Sequence, residues 1–361
     1  MTMNKMKIIP ALLLLLLSLQ SLVAQDSTQV QMHVQEQKRP VKEGFFRYSS
    51  FGQSLLADMH PNFVRFDVAG ISNHSEWDWG QTGKKVRTHT FCTMGINLPV
   101  WSGTFKDDRF TLSVAMPLSA SIWLDLGEPV TAPVVNTDYR IGGPAWTFTH
   151  HIGKKFVKNY SITVDPFKHE STHLGDELTL QRISHGLPLS RINVSYNYSE
   201  YIFTLNDPDL DYSQTHTFRA GLMILWSPRH SWYVINEADG DATLSQPRIS
   251  PWEAYFQYQY QSPLFKQFVQ IVASLEVRNR ALYGYPVFDW SPEDGVSYSM
   301  QKERRVFTYN VFMGVRLCHP HRRGLFSRAN VGLRLYHGNN PYGQFRNHAN
   351  FSQIGACVIF E

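Results

Sequence analysis

Residues 110–118, with the sequence FTLSVAMPL, decide the fold because large apolar side chains alternate there with small or polar ones. Phe, Leu, Val, Met and Leu occupy every second position, and Thr, Ser, Ala and Pro lie between them. Successive side chains of a β-strand point to opposite faces. The stretch therefore predicts a strand with one apolar face and one small or polar face.

The same alternation recurs along the chain, in about twelve segments altogether. They are 64–68, 90–98, 110–118, 145–152, 160–164, 191–198, 218–226, 256–261, 269–278, 307–316, 330–335 and 354–360. An even number of strands suits a bacterial barrel, and strands of roughly 9 to 13 residues would cross a bilayer at a tilt. Within 191–198 we assign Tyr196 and Tyr198 to the apolar face, and Ser195 and Asn197 to the polar face.

The composition of the two faces distinguishes a membrane barrel from a secreted β-sandwich. The polar faces are rich in Gln, Asn, Ser, Thr and Arg, and the opposite faces are aromatic or aliphatic in nearly every segment. A sandwich packs its apolar faces together, whereas a membrane barrel turns them toward lipid and encloses a polar lumen. We therefore expect an all-β fold, an antiparallel transmembrane β-barrel of about 12 strands, with the sandwich as the alternative.

Longer connections between the strands are predicted where Gly, Pro, Asp and Asn are frequent. They lie near 71–87, 125–143, 168–188, 205–214, 228–250 and 281–303. Long loops of a bacterial barrel lie on the outer side of the membrane, so we place these there and short turns such as 153–155 in the periplasm.

The beginning of the chain indicates export. Lys5 and Lys7 precede an apolar run, and Ala24 offers a small residue for cleavage, so residues 1–24 are predicted to be a signal peptide. Residues 25–58 are polar and irregular and are expected to form an N-terminal tail. The barrel itself is then expected to span residues 59–361.

The predicted localisation is the outer membrane of a Gram-negative bacterium. Phe360 places an aromatic residue at the end of the last strand, one position before Glu361. A terminal aromatic of this kind is common in outer-membrane barrels and is recognised during their assembly. We therefore expect the outer-membrane lipids and the barrel-assembly machinery as partners.

Composition argues against several other classes of protein. Charged residues make up 18% of the 361, and the formal net charge of +4 is spread along the chain, so we expect no nucleic-acid partner. Three cysteines are too few to indicate a disulfide framework. After the signal there is no run of about 18 apolar residues, so we expect no transmembrane helix.

One segment concentrates reactive side chains: DPFKHESTHLGDE, residues 165–177. Four interpretations of it remain open. The first is a zinc protease, because His169, Glu170 and His173 match the H-E-x-x-H motif. That motif works on a helix, which places both His on one face to bind zinc while the Glu acts as general base.

The second interpretation is a serine hydrolase built on the barrel wall. On a strand His169 and Ser171 project to the same side, so the imidazole can act as base for the hydroxyl. Ser171 would be the nucleophile and His169 the base, with Asp176 or Glu177 as the orienting acid.

This H-x-S pair resembles the one used by outer-membrane phospholipases and lipid A deacylases. The resemblance covers the two positions only. Those families usually carry Asn after the Ser, where this chain has Thr172. Their third member lies about a dozen residues further on, where this chain has Gln181 or Arg182.

The direction of the pair depends on the phase of its strand. If the alternation continues from Ile162 and Val164 on the lipid face, His169 and Ser171 point into the lumen. A hydrolase of membrane lipids needs the pair to face lipid. A bulge at Pro166 would reverse the phase.

The third interpretation is a metal or polar-ligand site, with His173 and Asp165 as candidate metal ligands. Calcium would favour the acids and zinc the histidines, so the cofactor stays unknown. The fourth is a polar network inside the lumen, in which these side chains bond to arginines on the polar faces. Those arginines are Arg191, Arg219, Arg278, Arg316 and Arg334.

The segment 169–177, together with 336–345, also resembles a family of uncharacterised exported bacterial proteins that is known only as a domain of unknown function. The resemblance spans most of the mature chain and implies export and a barrel, without an assigned activity. The predicted function is therefore an outer-membrane barrel of unassigned activity. The alternatives are an envelope lipid hydrolase, of the phospholipase or lipid A deacylase type, and a passive pore or ligand-binding barrel.

Overall fold

The computed structural model describes most of the predicted barrel region. The described residues are 44–45, 53–72, 86–105, 108–127, 132–154, 156–175, 195–207, 214–226, 233–236, 241–244, 251–264, 268–282, 286–291, 295–300, 304–318, 328–345 and 350–361. The predicted signal peptide, 1–24, lies outside them, as does most of the predicted tail, and both stay predictions.

These residues form eighteen β-strands and one short 3-10 helix, Gly343–Phe345. The strands are β1 (Gly44–Phe45), β2 (Val64–Ser72), β3 (Val86–Phe105), β4 (Phe110–Asp125), β5 (Val134–Gly142), β6 (Ala145–His151), β7 (Asn159–Leu174), β8 (Ser195–Leu205), β9 (Thr215–Leu225), β10 (Tyr233–Asn236), β11 (Asp241–Leu244), β12 (Trp252–Gln261), β13 (Val269–Leu282), β14 (Pro286–Ser291), β15 (Gly295–Met300), β16 (Arg304–Cys318), β17 (Arg328–Gly338) and β18 (Phe351–Phe360). No helix in the described ranges is long and apolar enough to cross a membrane.

The main sheet closes on itself. Its order is β3-β2-β18-β17-β16-β13-β12-β9-β8-β7, then β5 and β6, then β4, which pairs again with β3. β5 and β6 are two halves of one strand interrupted at Gly143-Pro144, and both pair with β4 and β7. The result is the closed 12-stranded antiparallel barrel that the sequence predicts. β10 with β11 and β14 with β15 form separate hairpins, and β1 adds to the edge of β3.

The barrel is apolar outside and polar inside. β9 shows this residue by residue, because its burial alternates without a break. Thr217 and Arg219 are buried, whereas Phe218, Leu222 and Ile224 are exposed. The apolar faces are not packed against one another, so the sandwich alternative is wrong. An apolar exterior around a polar interior is the arrangement that a bilayer stabilises.

The two ends of the barrel carry different connections. At one end lie 106–109, 152–158, 206–214, 262–268 and 319–327, and at the other end the longer connections include 175–194, 226–251 and 283–303. The loop predicted at 205–214 was therefore assigned to the wrong end. The loop predicted at 125–143 ends too late, because β5 forms a strand there. The loop predicted at 168–188 starts too early, because β7 continues to Leu174.

The lumen contains protein backbone as well as side chains. Leu55, Leu56 and Ala57 are at most 1% exposed. Their backbone bonds to the wall: the Leu56 N–H donates to Gln259 Oε1 at 3.0 Å, and the Ala57 carbonyl accepts from Asn310 Nδ2. Residues 53–62 therefore run inside the barrel, although the position of the boundary between tail and barrel stays a prediction.

Charged side chains fill much of the remaining described interior. Arg65, Arg278, Arg280, Arg316 and Arg334 are among the largest fully buried side chains. Each has an acidic partner, such as Asp67 for Arg334 at 3.0 Å. Buried charges need such partners because a lone ion in a poorly solvated interior is costly.

Candidate active site

The candidate site begins with an irregularity in β7. In the backbone register, Asp165 is the cross-strand partner of Glu200 on β8, and Lys168 is that of Tyr198. β7 therefore advances three residues where β8 advances two, which is a β-bulge with one extra residue on β7. Pro166 lies within it, at the position where the sequence allows a bulge.

The bulge reverses the phase of the strand. Before it, Thr163 is buried and Ile162 is exposed; after it, Glu170 and Thr172 are buried. Glu170 points into the lumen, so His169 and Ser171, at alternate positions, lie on the outer face of the barrel. The expectation that the pair points into the lumen is wrong, and the reversal at Pro166 is what the structure contains.

Contacts on both faces hold the bulge in place. On the inner side, Lys168 Nζ lies 3.2 Å from Asp165 Oδ2 and 2.5 Å from Glu200 Oε2. On the other side, Ser199 Oγ donates to the Pro166 carbonyl at 2.9 Å. A carbonyl freed from the strand ladder thus regains a donor, and the lysine charge is paired in the lumen.

Asn197 completes the outer-face cluster. It is the cross-strand partner of His169, and its Oδ1 lies 2.8 Å from His169 Nδ1. An amide oxygen accepts but does not donate, so this contact assigns the proton to Nδ1 and leaves Nε2 free to accept one. Ser171 is two residues away on the same face, roughly 7 Å along the strand.

Asn197 is placed as a group that orients a base would be, and Ser171 lies on the same face as His169. Unrelated hydrolases use an Asn in the third position as well as an Asp. His169, Ser171 and Asn197 are all partly exposed, so a molecule in the surrounding membrane has access to them. Asp176 and Glu177, the acids expected in the third role, lie outside the described residues, and their role stays a prediction.

His173 also lies on the outer face, but its surroundings differ from those of His169. Its ring meets the Tyr139 ring edge-on, with the centroids 6.0 Å apart. The segment is a strand, so His169 and His173 are roughly 13 Å apart along it and Glu170 points inward. The zinc-protease interpretation is therefore wrong, because its helix is absent.

The structure does not bring the two candidate metal ligands together. Asp165 is buried and paired with Lys168 in the lumen, whereas His173 is exposed on the outer face. In the part of the chain that the structure describes, there is no group of three or more His, Cys, Asp or Glu side chains that could hold a metal ion.

Sequence reasoning missed Asn197 because it inverted the faces of β8. Tyr196 and Tyr198 were assigned to the lipid face, but both are buried. One signal was available: Glu200 shares their parity, and a carboxylate belongs in the lumen rather than in lipid. Placing Glu200 inward turns Asn197 outward.

The cluster lies in an apolar part of the outer wall. Tyr139 is the cross-strand partner of Ser171, and Ile141 is that of His169. The backbone N–H of Trp226 donates to the Asn197 carbonyl at 2.9 Å. The side chains of Tyr139, Ile141 and Trp226 are about half exposed. Polar side chains framed by apolar ones suit a ligand with a hydrocarbon chain and a polar linkage.

Comparisons with solved structures find other membrane barrels. The outer membrane phospholipase (OMPLA) dimer with bound calcium from Salmonella typhi is 10% identical, with a TM-score of 0.42, over 83% of this chain and 90% of that chain. Outer membrane phospholipase A from Escherichia coli is 9% identical, with a TM-score of 0.41, over 83% and 93%. The translocator domain of autotransporter NalP from Neisseria meningitidis is 9% identical, with a TM-score of 0.37, over 82% and 86%.

The likeness to these proteins is one of fold. No protein-family model matches the chain. No curated protein matches it either. The resemblance to a family of uncharacterised exported proteins therefore stays a prediction.

Proposed function

We propose that this protein is a lipid hydrolase of the outer membrane of a Gram-negative bacterium, with Ser171 as nucleophile, His169 as base and Asn197 as the group that orients the base. The observation that carries the proposal is the 2.8 Å contact between His169 Nδ1 and Asn197 Oδ1, on the same face as Ser171. It distinguishes His169 from His173, which flanks Ser171 at the same spacing.

The proposed reaction is transfer of an acyl group from a lipid ester to water. Ser171 Oγ attacks the ester carbonyl carbon while His169 Nε2 takes its proton. The tetrahedral intermediate then expels the alcohol, which receives that proton from His169, and an acyl-serine remains. A water molecule, deprotonated by His169, attacks the acyl-serine, releases the fatty acid and returns the proton to Ser171.

The substrate class follows from the face on which the residues lie. The outer wall contacts bilayer lipid, and Tyr139, Ile141 and Trp226 offer apolar surface beside the nucleophile. His169 and Ser171 lie in the part of β7 that approaches the long 175–194 connection. With short turns toward the periplasm, this end faces the outer leaflet. The substrate is therefore an acyl ester of an outer-leaflet lipid, either a phospholipid or lipid A.

The test is fatty-acid release by the purified full chain in detergent micelles, with phosphatidylethanolamine and lipid A as separate substrates. Ser171→Ala should reduce the rate to the level without protein, because Ser171 is the hydroxyl that shares the outer face of β7 with His169 beyond the bulge. Ser195→Ala is the matched control, since Ser195 is the cross-strand partner of Ser171 on β8 and should retain activity. Full activity in Ser171→Ala would contradict the proposal.

A second pair of variants tests which histidine is the base. His169→Gln should lower kcat by about 100-fold or more, within the range that general-base catalysis contributes. His173→Gln, on the same strand and the same face, should stay within about threefold of the native rate. The opposite result would assign the base to His173 and leave Asn197 without its proposed role.

The other interpretations have less support. Asp165, Glu170 and Thr172 lie in a polar network inside the lumen, whereas His169 and Ser171 do not. The basic partners are Lys168 for Asp165 and Arg140 for Glu170. The expected partners Arg219, Arg278, Arg316 and Arg334 pair with other acids, and Arg191 lies outside the described residues. The passive-pore alternative requires an open lumen, whereas residues 53–62 and paired arginines occupy the described interior.

A further inference from the structure

A buried three-residue contact lies directly behind the proposed catalytic residues. Glu170 stands between His169 and Ser171 in the chain and points the opposite way, into the lumen, where it is 1% exposed. Arg140 Nε donates to Glu170 Oε2 at 3.0 Å. The hydroxyl of Tyr196 donates to the same oxygen at 2.8 Å.

The contact joins the three strands that form the site. Arg140 of β5 and Tyr196 of β8 are the cross-strand partners of Glu170 on either side. Tyr196 directly precedes Asn197, and Glu170 directly precedes Ser171. A bond between Glu170 and Tyr196 on the inner face therefore fixes the lateral position of β7 against β8 at the level where His169 meets Asn197.

The strand β5 is itself held from inside. Arg140 Nη2 lies 3.6 Å from Asp138 Oδ2, and the Gly343 N–H donates to Asp138 Oδ1 at 3.1 Å. Asp138 is fully buried. The contacts that hold Glu170 thus continue through Arg140 and Asp138 to the 3-10 helix inside the barrel. All of these contacts lie on the inner side of the wall.

We propose that Glu170, Arg140 and Tyr196 are positioning residues for the catalytic group on the other side of the wall. The inference rests on the proposed function, since it assigns these residues a role in the same reaction. None of the three reaches the outer face. Their contribution is to hold the separation of His169 and Asn197, and with it the tautomer of His169.

The expected signature is a loss of turnover without a loss of substrate affinity. A displacement of about 1 Å in a catalytic group can lower a rate by about 100-fold. Substrate binding should change little, because it depends on outer-face residues. In Glu170→Gln we expect kcat to fall by about 10- to 100-fold with KM within about twofold. Tyr196→Phe, which removes one hydroxyl and no charge, should lower kcat by about 3- to 10-fold.

Asp67→Asn is the matched control. Asp67 is a buried carboxylate in the lumen with two basic partners, Arg65 at 3.1 Å and Arg334 at 3.0 Å, but it lies on β2, away from the site. All variants are first checked for the heat-dependent change in gel mobility that marks a folded barrel. Asp67→Asn should keep the native kcat. If Glu170→Gln does not fold, Tyr196→Phe carries the kinetic test.

A nuclear magnetic resonance measurement reports on the geometry without activity. In a histidine-¹⁵N-labelled chain, the signals of His169 are identified by their absence in His169→Gln. The native chain should show the tautomer with the proton on Nδ1, and the Glu170→Gln or Tyr196→Phe variant should show a mixture of tautomers. Asp67→Asn should show the native tautomer.

The outcomes separate this inference from the proposed function. If hydrolysis does not depend on Ser171, the proposed function fails, and the His169 signals alone decide whether the contact positions the ring. If hydrolysis depends on Ser171 but the folded Glu170 and Tyr196 variants keep their kcat and tautomer, the positioning role is overturned. An equal loss in Asp67→Asn would also overturn it, because the effect would then be a general one on the barrel.

Discussion

At the scale of single residues, Asn197 illustrates what the proposed orienting group of a lipid-facing site must satisfy. A carboxylate in the third position would bring a charge into contact with hydrocarbon, and lipid-facing charges on barrels destabilise them by up to about 2–4 kcal/mol for basic residues and by less for acids. An amide supplies the same acceptor atom without a charge. The neutral acceptor at 2.8 Å from His169 suits the apolar surroundings of Tyr139 and Ile141.

This argument predicts different outcomes for two replacements of Asn197. Asn197→Ala removes the acceptor and should lower kcat by about 10- to 1000-fold, because His169 then loses its fixed tautomer. Asn197→Asp keeps an acceptor and should retain more activity than the alanine variant, at some cost in barrel stability. The activity of both variants is measured as kcat at saturating lipid, and their barrel stability is measured by the heat-dependent gel mobility. Equal activity of native and Asn197→Ala chains would show that the contact plays no part.

At the scale of strands, the sequence predicts alternation well and phase poorly. Each of the twelve wall positions has a segment that the period of two identifies, because alternation is a local property. Phase propagates along a strand, so one extra residue inverts every assignment beyond it. The bulge between Asp165 and Lys168 did this on β7. Pro166 marks the place, but Glu200 and Ser199, which stabilise the bulge from β8, are more than 30 positions away in the sequence.

The bulge predicts a phase change that spin labels can measure. Nitroxides are attached to single cysteines along β7, in a chain whose native cysteines are replaced, and collisions with lipid-soluble oxygen are recorded. Oxygen accessibility should be high at Ile162 and Val164 and low at Thr163. Beyond the bulge it should be high at Ser171 and low at Thr172, because even and odd positions exchange faces.

β13 is the control strand for that experiment. Its burial alternates without interruption from Val269 to Arg280, so accessibility should stay high at odd positions throughout. The measurement compares β7 with β13 in the same barrel and the same lipid. Uninterrupted alternation on β7, with Ser171 protected, would contradict the bulge and would place the proposed nucleophile in the lumen.

At the scale of the whole molecule, the apolar exterior and polar interior could be predicted, but the backbone segment inside the lumen could not. The apolar exterior follows from adding up local alternations. The inner segment at residues 53–62 depends instead on contacts with no local signature: Leu56 and Gln259 are 203 positions apart in the chain. A polar sequence before the first strand looks the same whether it hangs in the periplasm or lies inside the barrel.

The occupied lumen predicts a barrel that does not conduct. Planar bilayers containing the native chain should show no sustained current steps, because residues 53–62 and the paired arginines fill the described interior. A variant that lacks residues 53–62 has no inner backbone segment but keeps the paired arginines. If the heat-dependent gel mobility shows that it folds, current steps should appear as water replaces the segment. Steps in the native chain would contradict the closed lumen. A folded variant that stays silent would show that the arginine pairs alone close it, because their side chains would be the remaining obstacle to ions.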